Sequence, residues 1–138
     1  MIYNIYFDGA SRSNPGLCSS AGVILDKDNN ILFSKTTQYE CNTNNYAEYN
    51  GLINGLELAL ENNLFDKEII VYGDSLLVIN QTNKKWQCKS NNLIPLHEKV
   101  LNLLVKFSNI KFIHIKREFN KLADSLCNIE LDKANISN

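Results

Sequence analysis

Between residues 44 and 72 the chain changes its hydrophobic period, and that change restricts the fold more than any other feature. Tyr49, Leu52, Ile53, Leu56, Ala59 and Leu60 fall on one stripe at i, i+3, i+4, i+7 spacing, the mark of an amphipathic helix. Glu68-Ile69-Ile70-Val71-Tyr72 then forms a nearly continuous apolar run, as expected of a parallel strand buried on both faces. A helix feeding such a strand is a crossover, and the strand must lie parallel to an earlier one. Residues 1–7 alternate apolar and polar and fill that place.

The remaining pattern completes an α/β domain. Residues 18–26 and 31–39 are β-rich runs separated by Asp26-Lys27-Asp28-Asn29-Asn30, a hairpin signal. Residues 10–17 read as a turn on Gly, Pro and Asn grounds. Thr43 or Asn44 is the expected cap of the 44–62 helix, while Gly51 and Gly55 weaken it by about 1 kcal/mol each relative to Ala. Leu76 to Gln81 reads as a short helix, 93–107 as an amphipathic helix with Pro95 in its first turn, Ile110 to Lys116 as a strand, and Glu118 to about Lys133 as a final helix. The order β-β-β-α-β-α-α-β-α implies a five-stranded mixed sheet, antiparallel strands first and parallel strands after, flanked by helices. At 138 residues, one domain over 1–134 with a frayed polar tail at 135–138 is the expectation. No apolar run approaches the roughly 20 residues of a membrane helix. The N-terminus has no early positive charge and meets Asp8 too soon for a signal peptide, so a cytoplasmic protein is expected. In that setting Cys18, Cys41, Cys88 and Cys127, which form no C-x-x-C pair, are read as reduced thiols, with a disulfide between distant members left open.

Four acids occupy unusual places. Asp8 and Asp74 each follow an expected buried strand, and on parallel neighbours both carboxylates project from one sheet edge, where open α/β folds build their sites. Glu48 precedes Leu52 by four residues and so stands at the top of the apolar stripe rather than on the solvated face. A favourable helix dipole, worth about 0.3–1 kcal/mol, explains its position along the helix but not the face. Asp124 lies on the margin of a stripe formed by Phe119, Leu122, Ala123, Leu126 and Cys127. Acids gathered without basic partners are best held by hard divalent cations. Two such ions about 3.5–4 Å apart activate a water and stabilise a leaving oxygen in phosphodiester cleavage.

These residues sit in four blocks that resemble a known family. Asp8-Gly9-Ala10-Ser11-Arg12-Ser13-Asn14-Pro15-Gly16 resembles the opening D-G-[SA]-x-x-x-N-P-G signature of ribonuclease H type 1, and Thr43-Asn44-Asn45-Tyr46-Ala47-Glu48 its T-N-N-x-x-E helix start. Tyr72-Gly73-Asp74-Ser75 is similar to its strand-end D-S, and Arg117-Glu118-Phe119-Asn120-Lys121-Leu122-Ala123-Asp124 to the R-E-x-N-x-x-A-D segment of the archaeal-like and plant-like branch. The resemblance implies a ribonuclease H-like fold and endonucleolytic cleavage of the RNA strand of RNA–DNA hybrids, leaving 5′-phosphate and 3′-hydroxyl ends. It implies two Mg²⁺ ions, with Mn²⁺ as a substitute, held by Asp8, Glu48, Asp74 and Asp124. It further implies that Gly9, Ser11, Asn14, Asn44 and Asn45 read 2′-hydroxyls, the group that separates RNA from DNA.

Several positions depart from the family pattern. Leu76 replaces a Gln that contacts a 2′-hydroxyl, and Cys41 replaces an Arg of the DNA-phosphate pocket, leaving Thr43 to contribute. The basic handle of bacterial members is missing, with only Lys84-Lys85-Trp86 and Lys89 near its place, and so is the mobile His loop, for which Arg117 is the candidate replacement. His114, inside a strand, is read as structural. Double-stranded RNA is therefore a conceivable second substrate. The same fold could also act on branched DNA, or bind hybrids without turnover. A monomer is expected.

Net charge is −1, which taken alone argues against a nucleic-acid binder. The average hides an uneven map: from Lys84 to Lys121 there are nine positive residues and two negative. Lys84, Lys85, Lys89, Lys116, Arg117 and Lys121 are the expected basic flank for a nucleic-acid backbone.

Overall fold

Five strands form one sheet in the order β3-β2-β1-β4-β5. The computed structural model describes residues 1–12, 16–41 and 43–137, with the side chains of 134–137 outside the description. β1 (Ile2–Ser11), β2 (Gly16–Leu25) and β3 (Ile31–Cys41) make the antiparallel part. The chain then crosses over through α1 (Asn44–Glu61) to β4 (Glu68–Gly73), which lies parallel to β1 with Ile5 opposite Val71. α2 (Leu76–Thr82) and α3 (Ile94–Leu104) lead to β5 (Asn109–His114), parallel to β4. A 3₁₀ turn (Arg117–Phe119) precedes the last helix, α4 (Lys121–Ser137). The mixed sheet and its element order agree with the sequence pattern. Among the described residues no helix is long and apolar enough to cross a membrane.

The core lies between the sheet and α1. Ile5 and Phe7 of β1, Ile24 of β2, and Ile69 and Val71 of β4 pack with Tyr49, Leu52 and Leu56 of α1, all fully buried. Complete burial of each such side chain contributes about 1.5–3 kcal/mol. α4 covers the opposite face with a narrower row, Ala123, Cys127 and Leu131. Tyr49 also donates its hydroxyl to Gln81 and lies 3.2 Å from His97 Nδ1, so one buried polar group ties α1 to α2 and α3.

Several boundaries differ from expectation. β1 does not stop at residue 7: its hairpin partner β2 continues to pair with it, Asp8 opposite Ala21 and Ser11 opposite Cys18. Asp8 is thus inside a strand on its antiparallel side and beyond the end of the pairing on its parallel side, where the last partners are Phe7 and Gly73. The turn is correspondingly shorter than 10–17, and Asn14 lies outside the described residues. α4 begins at Lys121 rather than Glu118 because the 3₁₀ turn breaks the helical phase. Phe119, placed on the apolar stripe by a helix starting at Glu118, is consequently 66% exposed. α4 continues to Ser137, so residues 135–137 are helical in backbone rather than frayed, and Asn138 lies outside the described residues. The cysteines were expected to be four free thiols; instead Cys18 and Cys41 form a disulfide between β2 and β3, leaving Cys88 and Cys127 free. Their Cα atoms are 5.8 Å apart, because pairing of Gly16 with Cys41 sets Cys18 diagonally across the ladder.

Candidate active site

Asp8, Glu48 and Asp74 converge at the edge where the parallel pairing of β1 and β4 ends. One carboxylate oxygen from each lies within 4.8 Å of the others. Asp8 and Glu48 are buried and Asp74 partly so. Together with Asp124, Gly9, Ser11, Arg12, Asn44, Arg117 and Asn128 they line one cavity of about 300 Å³.

Each acid arrives there for a local reason. The Thr43 side chain accepts a hydrogen bond from Tyr46 N at 3.1 Å, which starts α1 and puts Glu48 in its second turn. Two glycines let that turn descend onto β1. A Cβ on Gly9 would lie 2.2 Å from the Ala47 carbonyl carbon, and one on Gly51 would lie 2.3 Å from the Asp8 carbonyl oxygen. Read from the sequence as helix-weakening, Gly51 has a packing role instead: only a residue without a side chain permits this approach. Asp74 follows the end of β4, and Ser75 caps α2 immediately after it, accepting from Val78 N at 3.2 Å.

Asn120 is the residue that sequence reasoning missed. Fully enclosed, its Nδ2 donates to the Phe7 carbonyl at 2.9 Å and to Asp74 Oδ2 at 3.1 Å. It stands within the R-E-x-N-x-x-A-D block, but nothing in that spacing announces a link to β1 and β4. The Nε2 of His114, read as structural, lies 3.3 Å from the Asp74 carbonyl oxygen, at the edge of the site.

The electrostatics are those of crowded acids. Burial pushes the Asp8 carboxyl up to about 7, with the charges of Asp74 and Asp124 adding to the rise. Glu48 is raised well above the usual carboxylate range, first by burial and then by Asp8 and Asp74. Its Oε1 is enclosed without a hydrogen-bond partner among the described residues. Such an atom costs about 1–3 kcal/mol unless something binds it. Hard oxygen donors gathered in this way fit a divalent cation. Asp124 stands slightly apart: its side chain is 30% exposed and Oδ1 lies 3.8 Å from Arg117 Nη2.

The other expected site residues are spread around this centre. Gly9, Ser11, Asn44 and Arg117 line the cavity, while Asn45 is exposed on the first turn of α1 and does not line it. Lys116 and Lys121 flank the 3₁₀ turn beside Arg117, and both are exposed. Lys84 and Lys85 border a second hollow with Trp86, Gln87 and His97, and Lys89 is exposed nearby in sequence. Lys84 and Lys85 thus border a hollow distinct from the acid-lined cavity.

Comparison with known proteins shows the family. Residues 6–129 match the family model described as Reverse transcriptase-like. A Ribonuclease HI of Halobacterium salinarum is 36% identical over 94% of this chain, which spans 64% of that relative's length. A Ribonuclease H of Clostridium botulinum is 32% identical over 96% of this chain and 97% of its own. The chain belongs to the ribonuclease H type 1 family. Among solved structures, LC11-RNase H1 in complex with an RNA/DNA hybrid superposes with a TM-score of 0.88 at 36% identity, covering 96% of this chain and 98% of that one. In this ribonuclease H-type domain Asp8, Glu48 and Asp74 meet at one sheet edge and are the candidate site.

Proposed function

We propose that the protein is a metal-dependent endoribonuclease that cuts the RNA strand of RNA–DNA hybrids and leaves 5′-phosphate and 3′-hydroxyl ends. The observation that carries this reading is the convergence of Asp8, Glu48 and Asp74, two of them buried, around an unpartnered Glu48 oxygen. A binding module has no use for buried like charges, which oppose folding unless a cation compensates them. The similarity to LC11-RNase H1, solved with an RNA/DNA hybrid, supports the choice of substrate.

Asp8, Glu48, Asp74 and Asp124 would hold two divalent ions, Mg²⁺ in the first place and Mn²⁺ as a substitute. When bound, such ions supply activation of the attacking water and stabilisation of the departing oxygen. The protein's own groups do the rest. Asn120, anchored by its bond to the Phe7 carbonyl, donates to Asp74 Oδ2 and holds that carboxylate in one orientation. The Gly9 backbone, Ser11 and Asn44, together with Asn45 and Asn14, read 2′-hydroxyls, since hydroxyl and amide groups both donate and accept there. The Thr43 hydroxyl accepts from Tyr46 N and retains its own proton for a phosphate oxygen. Arg117, 82% exposed beside Asp124, is free to swing between that carboxylate and a phosphate. Lys84, Lys85, Lys89, Lys116 and Lys121, all exposed, steer the nucleic-acid backbone.

The test compares a labelled RNA–DNA hybrid, double-stranded RNA and duplex DNA under Mg²⁺ or Mn²⁺, with end-group analysis of the products. Cleavage confined to the RNA of the hybrid, with 5′-phosphate ends, is expected. Equal cleavage of double-stranded RNA would move the assignment to a broader ribonuclease, and an inert protein would refute it.

A further inference from the structure

Arg12, just past the end of β1, contacts α4 outside the group of acids. Arg12 Nη1 lies 2.5 Å from Asp132 Oδ1, and Nη2 faces the Asn128 carbonyl at 3.4 Å and Asn128 Oδ1 at 3.5 Å. The Arg12 amide donates to the Leu17 carbonyl at 3.1 Å, so the backbone from which this side chain extends is fixed to the start of β2. Asn128 in turn donates Nδ2 to the Asp124 carbonyl at 3.1 Å. Asp124, Asn128 and Asp132 recur every fourth residue and make a polar row along α4, next to the buried row of Ala123, Cys127 and Leu131. The buried row holds the helix down together with half-buried Leu122 and Leu126, the Ser19 hydroxyl, which donates to the Cys127 carbonyl at 2.7 Å, and Cys127 Sγ, 3.5 Å from the Asp8 carbonyl oxygen. On the flank that carries Asp124 the helix instead presents its polar row, where a contact from the sheet sets its roll. Rolling would carry Asp124, at the edge of that row, away from Asp8. Arg12 grips the polar row on the cavity side, and both Arg12 and Asn128 line the cavity with Asp8 and Asp124.

We propose that Arg12 is a positioning residue for Asp124: by bridging the end of β1 to Asn128 and Asp132 it fixes the roll of α4 and hence the side on which the Asp124 carboxylate enters the site. A partly exposed ion pair of this kind adds little to overall stability. Its value is the register it imposes between two elements that each carry an acid of the site. The inference rests on the reading of Asp124 as part of the metal-holding group. The competing role, a direct grip on a substrate phosphate, predicts different behaviour.

The variants are Arg12→Met, Arg12→Lys, Asp132→Asn and the double variant Arg12→Met/Asp132→Asn. Two readouts are taken on the full chain: Mn²⁺ titration by calorimetry without nucleic acid, and hybrid cleavage with kcat and KM separated. Loss of a group that orients a metal ligand costs about 10-fold or more in affinity or activity. Arg12→Met should therefore weaken Mn²⁺ binding and lower kcat by about that factor, with KM within about twofold and thermal unfolding little changed. Asp132→Asn should act in the same direction, Arg12→Lys should recover part of the loss, and the double variant should be no worse than Arg12→Met, because one contact cannot be lost twice. A raised KM with unchanged kcat and unchanged Mn²⁺ affinity would overturn the proposal in favour of a phosphate grip. So would a silent Asp132→Asn beside an impaired Arg12→Met. If the parent protein cleaves no hybrid, the proposed function fails separately. The metal titration then decides on Arg12 alone: equal Mn²⁺ affinity, or none in either protein, overturns the proposal.

Discussion

Asn120 Nδ2 joins β1 to the residue that follows β4, donating to the Phe7 carbonyl at 2.9 Å and to Asp74 Oδ2 at 3.1 Å. Asp74 is thereby oriented from α4's side of the molecule, although it belongs to the end of β4. Replacing Asn120 with Asp removes the donor and adds a like charge beside three acids. A buried hydrogen-bonding group left unsatisfied costs about 1–3 kcal/mol. Asn120→Ala should lower stability by an amount in that range, and Asn120→Asp by at least as much at neutral pH. Denaturant unfolding measures both. A variant as stable as the parent would show that the bond is incidental.

The close approach of α1 to β1 yields a second expectation. A methyl group on Gly51 would overlap the Asp8 carbonyl oxygen, a backbone atom that cannot move aside cheaply. Gly51→Ala raises helix propensity by about 1 kcal/mol, yet overpacking of this kind costs about 1–3 kcal/mol. The variant should be destabilised on balance and should lose activity by displacing Glu48 from Asp8. Unfolding and cleavage assays together check this, and a stabilised, fully active Gly51→Ala would contradict the packing account.

Proton linkage follows from the crowded acids. Asp8 titrates at about 7 in the folded protein and Glu48 well above its usual range, whereas both ionise near pH 4 in an unfolded chain. Between about pH 4 and 7 the native state keeps protons that the unfolded state has released, so this site's contribution to stability falls as pH rises through that window. A divalent ion binds the ionised carboxylates and should offset the loss. Thermal unfolding in chelator at pH 5 and pH 8 should show a pH-dependent penalty that Asp8→Asn reduces. Excess Mg²⁺ should raise the melting temperature more at pH 8 than at pH 5. Identical pH profiles for parent and Asp8→Asn would remove the basis for this linkage.

How much of this could be read in the sequence depended on the range of each signal. The Thr43 cap, the α1 stripe and the end of β4 at Gly73 are local patterns, and they placed Glu48 and Asp74 correctly. Asp8 was expected just past a strand, but it lies within one, because continued pairing of β1 with β2 is a relation between distant segments. Asn120 escaped notice because its partners, Phe7 and Asp74, are 113 and 46 residues away. Gly51 was seen only as a cost to its helix, since the proximity of the Asp8 backbone has no trace in local periodicity. The Cys18–Cys41 pairing likewise depends on the β2–β3 register rather than on any cysteine spacing.

The exposed lysines of the basic flank predict a modest dependence on salt. Each phosphate neutralised contributes about 0.9 to the slope of log K against log salt for duplex DNA. Lys→Gln replacement at Lys84 or Lys85, and at Lys116 or Lys121, should each reduce the slope for hybrid binding by up to about one. Binding measured from low to moderate salt tests both pairs, and an unaltered slope at one of them would exclude it from the interface.

The central claim is that Asp8, Glu48 and Asp74 act as one metal-holding group for cleavage of RNA in a hybrid. Its most direct test is hybrid cleavage in Mg²⁺ by the parent and by Asp74→Asn, a nearly isosteric change that removes one charge. Loss of a metal-holding carboxylate should remove several kcal/mol of transition-state stabilisation, or about 10³-fold in rate. The account predicts a parent that cuts the RNA strand and a variant reduced by about that factor while still folded. Equal activity in the two proteins would contradict it.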